Sequence, residues 1–194
     1  LIRVGMNNPK QRLNQYAFEL SGGQRQRAMI AMALCTNPDI LIADEPTTAL
    51  DVTTQAQTLD LLDDLQEKNG MSIIMITHDL GVIAELADQV NVMYLGKVVE
   101  SGTLNDVYKN PMHPYTKSLL SSIPSLATKH RERLPILQGT IPHPVARPSA
   151  CNFESNCDDI NPDCKNADPV SVEEAPGHFV LYCGICYQDK KCAW

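Results

Sequence analysis

Apolar and polar residues alternate along the first 80 positions in a pattern that predicts two helices and two strands. Ser21 can cap a helix whose apolar positions continue to about Thr36. The short apolar runs Asp39–Asp44 and Met71–Thr77 have the length and composition of buried parallel strands. Between them, Thr53–Asn69 carries apolar residues at helical spacing and is followed by a glycine, which predicts a helix with a defined end.

Shorter elements continue this pattern to residue 123. We expect a helix at Leu80–Ala87, a hairpin that turns at Gly96-Lys97, and helical segments at Leu104–Lys109 and Tyr115–Ser122. Because strands and helices alternate, the fold class predicted is α/β with a mostly parallel sheet. Closely spaced prolines interrupt the pattern beyond Ile123. The predicted domains are therefore an α/β part at 1–123, a proline-rich linker at 124–150 and a cysteine-rich C-terminal region at 151–194.

Composition and charge exclude some classes of function. The 194 residues are 43% hydrophobic and carry a net charge of -7. Such a chain has enough apolar content for a core and is too acidic for bulk binding of nucleic acid. No apolar run approaches the roughly 20 residues of a membrane-spanning helix. The first residue is Leu1 rather than methionine, so we expect the chain to be a piece of a longer protein.

Polar side chains that suit phosphate chemistry follow both predicted strands. Asp44 and Glu45 come at the end of the first strand, and His78 comes directly after the second. Since the carboxyl ends of parallel strands form the edge at which α/β sheets bind ligands, we expect these residues to lie together. Adjacent carboxylates point in different directions on an extended chain, so one can hold Mg²⁺ while the other orients a water molecule. An isolated pair of this kind is more often a solvated strand terminus.

A further motif, LSGGQ at Leu20–Gln24, comes directly before the apolar helix. Its glycines let backbone amides approach a ligand closely, and the positive end of the helix dipole favours an anion. No phosphate-cradling P-loop sequence occurs in the 194 residues. The motif therefore predicts an anion site whose remaining part comes from elsewhere.

Together these motifs resemble those of the ATP-binding cassette (ABC) ATPases of ABC transporters. LSGGQ matches the family signature, Ile40–Pro46 (ILIADEP) its Walker B strand, Ala49–Asp51 its D-loop and Ile76–Asp79 (ITHD) its switch histidine, in the order of the family. The resemblance implies a P-loop NTPase-like ABC ATPase core without its P-loop portion. We expect that portion upstream of Leu1.

The resemblance also implies how the residues act on ATP and Mg²⁺. In this family two cassettes meet head to tail, and each ATP lies between the P-loop of one subunit and the signature of the other. Asp44 is then expected to bind Mg²⁺, Glu45 to polarise the attacking water, and His78 to contact the γ-phosphate. Arg25 and Arg27 are expected to form surface or interface pairs. The further residues expected at ATP are Ser21, Gly22, Gly23 and Gln24, which would touch the partner's nucleotide, and Asp51.

Six of the seven cysteines fall in residues 151–194. The seventh, Cys35, lies in an apolar helical run and is expected in the core. In a reducing cytoplasm, four cysteines rarely mean disulfides, and four thiolates suit either Zn²⁺ or an iron–sulfur cluster.

A second resemblance narrows the family. The stretch Asn110–Pro124 (NPMHPYTKSLLSSIP), the prolines after it and the cysteine spacing resemble the ATPases of oligopeptide/dipeptide transporters. That resemblance implies a [4Fe–4S] cluster. Two further cysteines, Cys186 and Cys192, leave open a zinc-like pair or another fourth ligand. The implied cluster ligands are Cys151, Cys157, Cys164 and Cys183.

The function implied is that of an ATP-binding and ATP-hydrolysing subunit that powers peptide uptake. Its expected place is the cytoplasmic face of the membrane, with a second ATPase subunit, permease subunits and, indirectly, a solute-binding protein as partners, and without nucleic acid. The 194 residues alone are expected not to hydrolyse ATP. A soluble ABC ATPase acting on nucleic acid or ribosomes, and a non-catalytic dimerisation or regulatory fragment, remain alternatives. The cargo itself, peptide, nickel or another solute, is left open.

Overall fold

The structure is a computed structural model that describes residues 1–123, 143, 151–157 and 169–183. The chain divides into two compact units, Leu1–Leu86 and Ala87–Trp194. The first unit contains α1 (Pro9–Arg12), α2 (Gly22–Ala33), β1 (Ile40–Asp44), α3 (Val52–Asn69), β2 (Ser72–Ile76) and α4 (Leu80–Leu86), with 3₁₀ turns at Ala17–Glu19 and Leu34–Thr36.

The first unit is built on a parallel strand pair joined by α3. β1 and β2 pair in register from Ile40 opposite Ser72 to Asp44 opposite Ile76. Helix α3 starts at its cap Asp51 and ends at Gly70, whose φ of 64° supplies the left-handed turn that glycine adopts at low cost. The sequence predicted both strands, this helix and α2 close to their observed bounds. The α/β content of the predicted fold class is confirmed for this unit.

The core of the first unit lies between the helices and one face of the two strands. Along β1 the side chains alternate, and Ile40 and Ile42 are 57% and 64% exposed. The prediction of fully buried strands is wrong for the described residues, because α2 and α3 pack on only one face of the sheet. The prediction that Cys35 is a core residue is also wrong: it is exposed and donates to the Ala31 carbonyl at 3.2 Å. The buried core consists of Val4, Met6, Ile30, Leu34, Leu41, Leu62, Leu65 and Met71.

In its described residues, the second unit is an antiparallel sheet with two short helices. The strand order is β3-β4-β6-β5. A cluster of Tyr94, Val99 and Phe153 forms part of its core. Its elements are β3 (Gln89–Tyr94), β4 (Lys97–Thr103), α5 (Leu104–Lys109), α6 (Pro114–Ser121), a 3₁₀ turn at Glu154–Asn156, β5 (Pro169–Ala175) and β6 (His178–Cys183).

The hairpin between β3 and β4 turns one residue earlier than predicted. Leu95 and Gly96 have φ values of 47° and 80°, and Tyr94 pairs with Lys97 across the turn. Positive φ at both central residues is the requirement of a two-residue turn that matches the twist of the strands. Lys97, predicted to lie in the turn, therefore opens β4.

The hairpin formed by β5 and β6 was not predicted. β6 pairs with β4, with Glu100 opposite Val180 and Ser101 opposite Phe179. Part of the cysteine-rich region thus shares a sheet with strands from the predicted α/β part. The boundaries at 123 and 150 stay predictions, because most of the segment between them lies outside the described residues.

Among the residues that the structure describes, no helix combines the length and the hydropathy needed to cross a bilayer.

Candidate functional site

Glu45 and His78 meet at the carboxyl ends of the two parallel strands. The amide of Glu45 donates to the Ile76 carbonyl at 2.8 Å, which continues the strand pairing for one residue beyond β1. Glu45 Oε1 lies 2.7 Å from His78 Nδ1, and Glu45 Oε2 accepts from the Thr48 hydroxyl at 2.9 Å. Both carboxylate oxygens are therefore oriented by neighbours.

This contact changes the protonation of both residues in opposite directions. The hydrogen bond with His78, followed by the one from Thr48, lowers the pKa of Glu45. The bond to Glu45 raises the pKa of His78 above its usual value. The His78 side chain is 84% exposed and that of Glu45 is 36% exposed. Because solvent screens such a pair, it contributes little to stability and can rearrange around a ligand.

The backbone changes conformation at Glu45, directly after Asp44 at the end of β1. Glu45 has a φ of 47°, a left-handed conformation that costs a non-glycine residue about 1 kcal/mol or more. This turn ends the strand and brings Glu45 to His78. The exposed carboxylate of Asp44 makes no hydrogen bond to another described residue. Its oxygens are therefore open to an external ligand.

The start of α2 is a capping box made by Ser21 and Gln24. The Gln24 amide donates to Ser21 Oγ at 3.3 Å, and the Ser21 amide donates to Gln24 Oε1 at 3.0 Å. In this arrangement Ser21 Oγ acts as an acceptor and its own hydroxyl proton stays available. The side-chain NH₂ of Gln24 is likewise not used by the capping box. Both residues can therefore cap the helix and still donate to an anion.

The two signature glycines differ in their surroundings. A Cβ on Gly23 would lie 2.6 Å from Thr54 Cγ2, whereas a Cβ on Gly22 would meet Leu50 Cδ2 at an ordinary 3.7 Å. Thr54 is held in place because its amide and hydroxyl donate to the two oxygens of Asp51 at 3.0 and 2.7 Å. The absence of a side chain at Gly23 thus lets α2 approach the start of α3.

Asp51 is first of all a helix cap. Its two hydrogen bonds from Thr54, chiefly the one from the hydroxyl, lower its pKa. It also borders an open cleft of about 310 Å³ between the starts of α2 and α3. The cleft is lined by Ser21, Gly22, Gly23, Gln24, Arg27, Ala49, Leu50, Asp51, Thr54 and Gln57.

The structure therefore gathers the predicted site residues in two groups. The signature residues and Asp51 line the cleft. Glu45 and His78 are joined at the sheet edge, where Asp44 ends β1. The residues of the second group do not line the cleft.

The two arginines near the signature bind backbone carbonyls. Arg25 Nη1 donates to Leu20 O at 2.7 Å, and Arg27 Nη1 donates to Val4 O at 2.6 Å. Both bonds lie within the first unit, so these guanidinium groups brace the chain around the signature.

Sequence reasoning missed the residues that support the sheet edge. Thr48 orients Glu45, and Asp79 Oδ1 accepts from the amides of Gly81 and Val82 at 2.9 and 3.3 Å. Asp79 Oδ2 also accepts from the Gln55 side chain of α3 at 3.2 Å. An aspartate directly before a short helix is a capping signal that was available in the sequence. The contact with Gln55 had no local signal.

The predicted cysteine ligands are only partly described. Cys151 and Cys157 are half-buried and pack against the cluster of Tyr94 and Phe153. Cys164 lies outside the described residues, as does the side chain of Cys183, whose backbone ends β6. In the described part of the chain no three His, Cys, Asp or Glu side chains are arranged to hold a metal ion.

Comparison with known proteins identifies both parts of the chain. Residues 1–48 match the family model described as ABC transporter, and residues 99–164 match the model described as oligopeptide/dipeptide transporter, C-terminal region. A solved dimeric structure of the ATP-binding cassette MJ0796, in a post-hydrolysis state bound to ADP and Pi, is 34% identical with a TM-score of 0.47; the match covers 53% of this chain and 43% of that one.

Curated relatives match over most of this chain. The dipeptide transport ATP-binding protein DppD of Bacillus subtilis is 50% identical over 93% of this chain and 53% of its own length. A putative peptide import ATP-binding protein of Brucella ovis is 50% identical over 91% of this chain and 54% of its own length. This chain spans about half the length of the relatives it matches. Over most of its length the chain is therefore similar to ATP-binding proteins of dipeptide and peptide import, and its two parts match the ABC transporter model and the model of the oligopeptide/dipeptide transporter C-terminal region.

Proposed function

We propose that this chain is the part of an ATP-hydrolysing subunit that completes two ATP sites and so powers peptide import. The observation that carries the proposal is the 2.7 Å contact between Glu45 and His78 at the ends of two parallel strands. It places a carboxylate with a lowered pKa beside an exposed imidazole at the edge where α/β sheets bind ligands. The relatives named as dipeptide and peptide import proteins support the cargo class.

Each residue at the edge of the sheet has its own proposed role in ATP hydrolysis. Asp44, exposed and without a described hydrogen-bond partner, would hold Mg²⁺. Glu45 would accept a hydrogen bond from the attacking water and orient it, while His78 would donate to the terminal phosphate. Bound Mg²⁺ and ATP would supply the charge neutralisation and the phosphoryl group of the reaction. Since phosphoryl transfer depends mainly on placement, the hydrogen bonds that orient Glu45 are part of this function.

The cleft at the start of α2 would serve the nucleotide of a second ATPase subunit. Ser21, Gly22, Gly23 and Gln24 present amides, a hydroxyl proton and an amide group where the helix dipole is positive. Asp51 would hold the neighbouring turn in place through its cap. Because Glu45 and His78 do not line this cleft, a head-to-tail pair of subunits accounts for both groups of residues.

The cysteine-rich region would carry a [4Fe–4S] cluster, with Zn²⁺ as the alternative. Cys151 and Cys157 lie on one aromatic cluster, against which Leu181 of β6 also packs, and β6 ends at Cys183. Two thiols and the strand that bears a third are thus gathered on one cluster of side chains. Cys164 would complete the set of four thiolates.

The proposed partners are a second ATPase subunit, the permease subunits of a transporter and, indirectly, a solute-binding protein, at the cytoplasmic face of the membrane. Nucleic acid is not among them, because the chain is acidic.

The experiment that tests the proposal uses the full-length subunit and Ser21→Arg. The new side chain would enter the cleft, so ATP hydrolysis by the assembled transporter should be lost while nucleotide binding to the isolated subunit stays within about twofold of wild type. Gln26→Arg adds the same charge on α2 away from the cleft lining and should leave hydrolysis intact. Loss of nucleotide binding by the isolated Ser21→Arg subunit would contradict the head-to-tail arrangement.

A further inference from the structure

Glu100 in β4 is a fully buried carboxylate with three hydrogen-bond donors. It is 0% exposed. Oε1 accepts from the Met112 amide at 2.8 Å and lies 2.8 Å from His178 Nε2, and Oε2 accepts from the His113 amide at 3.0 Å. Because amides donate to both oxygens, the carboxylate acts as an acceptor and His178 is held as the Nε2–H donor. None of these residues belongs to the proposed ATP site.

The Met112 and His113 amides are the only backbone N–H groups in the four-residue stretch 111–114. Met112 and His113 stand between Pro111 and Pro114, and proline has no N–H. Both donors of this four-residue stretch therefore point at Glu100. The loop leads directly into α6, whose N-cap is His113. Glu100 thus holds the entry to α6.

The third donor comes from the β5–β6 hairpin. His178 opens β6 and is 4% exposed. Its ring lies against Gly102, where an added Cβ would be 3.1 Å from His178 Cδ2. The backbone pairing between β6 and β4 spans two residue pairs, and the buried bond between His178 and Glu100 is a further link between the two strands.

The loop and the hairpin also touch each other beside the carboxylate. Met112 packs against Val180 and Tyr182, the buried apolar residues of β6. This apolar contact and the hydrogen bonds to Glu100 are thus two separate links between the loop and the hairpin. Since β6 ends at Cys183, the position of this cysteine follows the position of the strand.

We propose that Glu100 is a latch that docks the β5–β6 hairpin onto β4 and couples this docking to the start of α6. One carboxylate is shared by both segments, and the donor on the hairpin is His178. Removing the carboxylate frees both segments, whereas removing the imidazole frees the hairpin alone. This coupling operates whether or not the cysteines bind a metal.

The test is hydrogen exchange in the full-length subunit, read at the amides of β6 and of Met112 and His113. In His178→Leu the β6 amides should exchange about tenfold faster or more, because a charge-assisted bond is lost and Glu100 keeps a buried unpaired lone pair. In His178→Gln an amide N–H can reach the same oxygen, so protection of β6 should be retained. In Glu100→Gln both sets of amides should exchange faster. Glu173→Gln, an exposed change in the same hairpin whose amide oxygen can still accept the Gly177 N–H, is the matched control and should alter neither set.

Three results would overturn the latch. The first is unchanged β6 exchange in His178→Leu. The second is equal loosening in His178→Gln and His178→Leu, which would assign the effect to the ring packed on Gly102 rather than to its N–H. The third is a uniform rise across the whole second unit in His178→Leu, which would show general destabilisation. The two His178 variants keep the test decisive even if Glu100→Gln fails to fold.

Discussion

His78 Nδ1 lies 2.7 Å from Glu45 Oε1, although 33 positions separate the two residues. The contact exists because β1 and β2 run parallel and in register, with one residue of additional pairing at Glu45. It leaves the imidazole largely exposed and the carboxylate oriented. Such an exposed pair adds little to the stability of the fold, which agrees with the proposed role of both side chains at ATP.

Glu45→Gln in the full-length subunit should preserve ATP binding and reduce ATP hydrolysis by about 10²–10⁴-fold. The amide keeps the size of the side chain but is a poor acceptor for the proton of the attacking water. Phosphate release and equilibrium nucleotide binding measure the two effects. Glu85→Gln, the same change at an exposed position of α4, should leave both at wild-type values. Hydrolysis within a few-fold of wild type would remove Glu45 from the proposed catalytic role.

His78 should titrate above 6.5 in the native protein, and its pKa should fall toward 6.5 in Glu45→Gln. A raised folded pKa means that the bond contributes to stability below the unfolded pKa and that this contribution is lost as pH rises through the folded pKa. NMR titration of the imidazole signals measures the shift. His113, whose contacts lie in the second unit, is an internal control that should not respond to the substitution. An unchanged His78 titration would show that the contact is not formed in solution.

Gly23→Ala should destabilise the protein by about 1–3 kcal/mol, because its Cβ would overlap Thr54 Cγ2 and Thr54 is held by Asp51. Gly22→Ala should be neutral or slightly stabilising, since its Cβ meets only an ordinary contact. Urea unfolding measures both. Adding Thr54→Ser to Gly23→Ala removes the clashing methyl group and keeps the hydroxyl, so stability should recover. A double variant no more stable than Gly23→Ala would place the cause elsewhere.

The second unit should lose stability as pH falls from 6.5 to 4. Burial, with a smaller contribution from Lys117, lowers the pKa of His113 from 6.5 to about 4. The unfolded chain therefore binds a proton in this window that the native protein does not, so the stability falls as the pH falls from 6.5 to 4. The difference corresponds to about 3 kcal/mol at the acid end.

Urea unfolding at several pH values, with His113→Asn as the comparison, measures this contribution. Asparagine can accept the Tyr115 amide as His113 Nδ1 does at 3.1 Å, and it does not titrate. The variant is expected to be less stable at neutral pH and to show a flatter pH dependence. Equal slopes for the two proteins would show that His113 is not the titrating group.

Full-length protein purified without oxygen should contain about four irons per chain and be brown. Replacing Cys151, Cys157, Cys164 or Cys183 by serine should remove the iron and the colour. Cys186→Ser is the matched control, because it removes a neighbouring thiol that the proposal does not use. Iron analysis and visible absorption make the measurement. A colourless preparation with one zinc per chain would contradict the cluster, and loss of colour in Cys186→Ser would show that the fourth ligand was wrongly chosen.

The order and type of the elements from α2 to β2 could be predicted from the sequence because their signals are local. Ser21 and Asp51 cap their helices, Gly70 ends α3, and the leucines of α3 recur at helical spacing. The sequence also predicted that Asp44, Glu45 and His78 lie at one edge of the sheet, because parallel strands align their carboxyl ends. The contact between Glu45 and His78 depends on the register of β1 and β2 and on the left-handed turn at Glu45, and neither could be read locally.

Only the tertiary structure determined which strands and side chains that lie far apart in the sequence pair with one another. β5 and β6 carry a local hairpin signal, because Pro176-Gly177 marks a turn before the apolar run Phe179–Tyr182, but the pairing of β6 with β4 has no local signal. Glu100 has no local signal that marks it as a latch, since its donors are 12, 13 and 78 positions away. Caps, turns and periodicity are set by neighbours within a few residues, whereas burial of a carboxylate becomes tolerable only where folding brings enough donors to it.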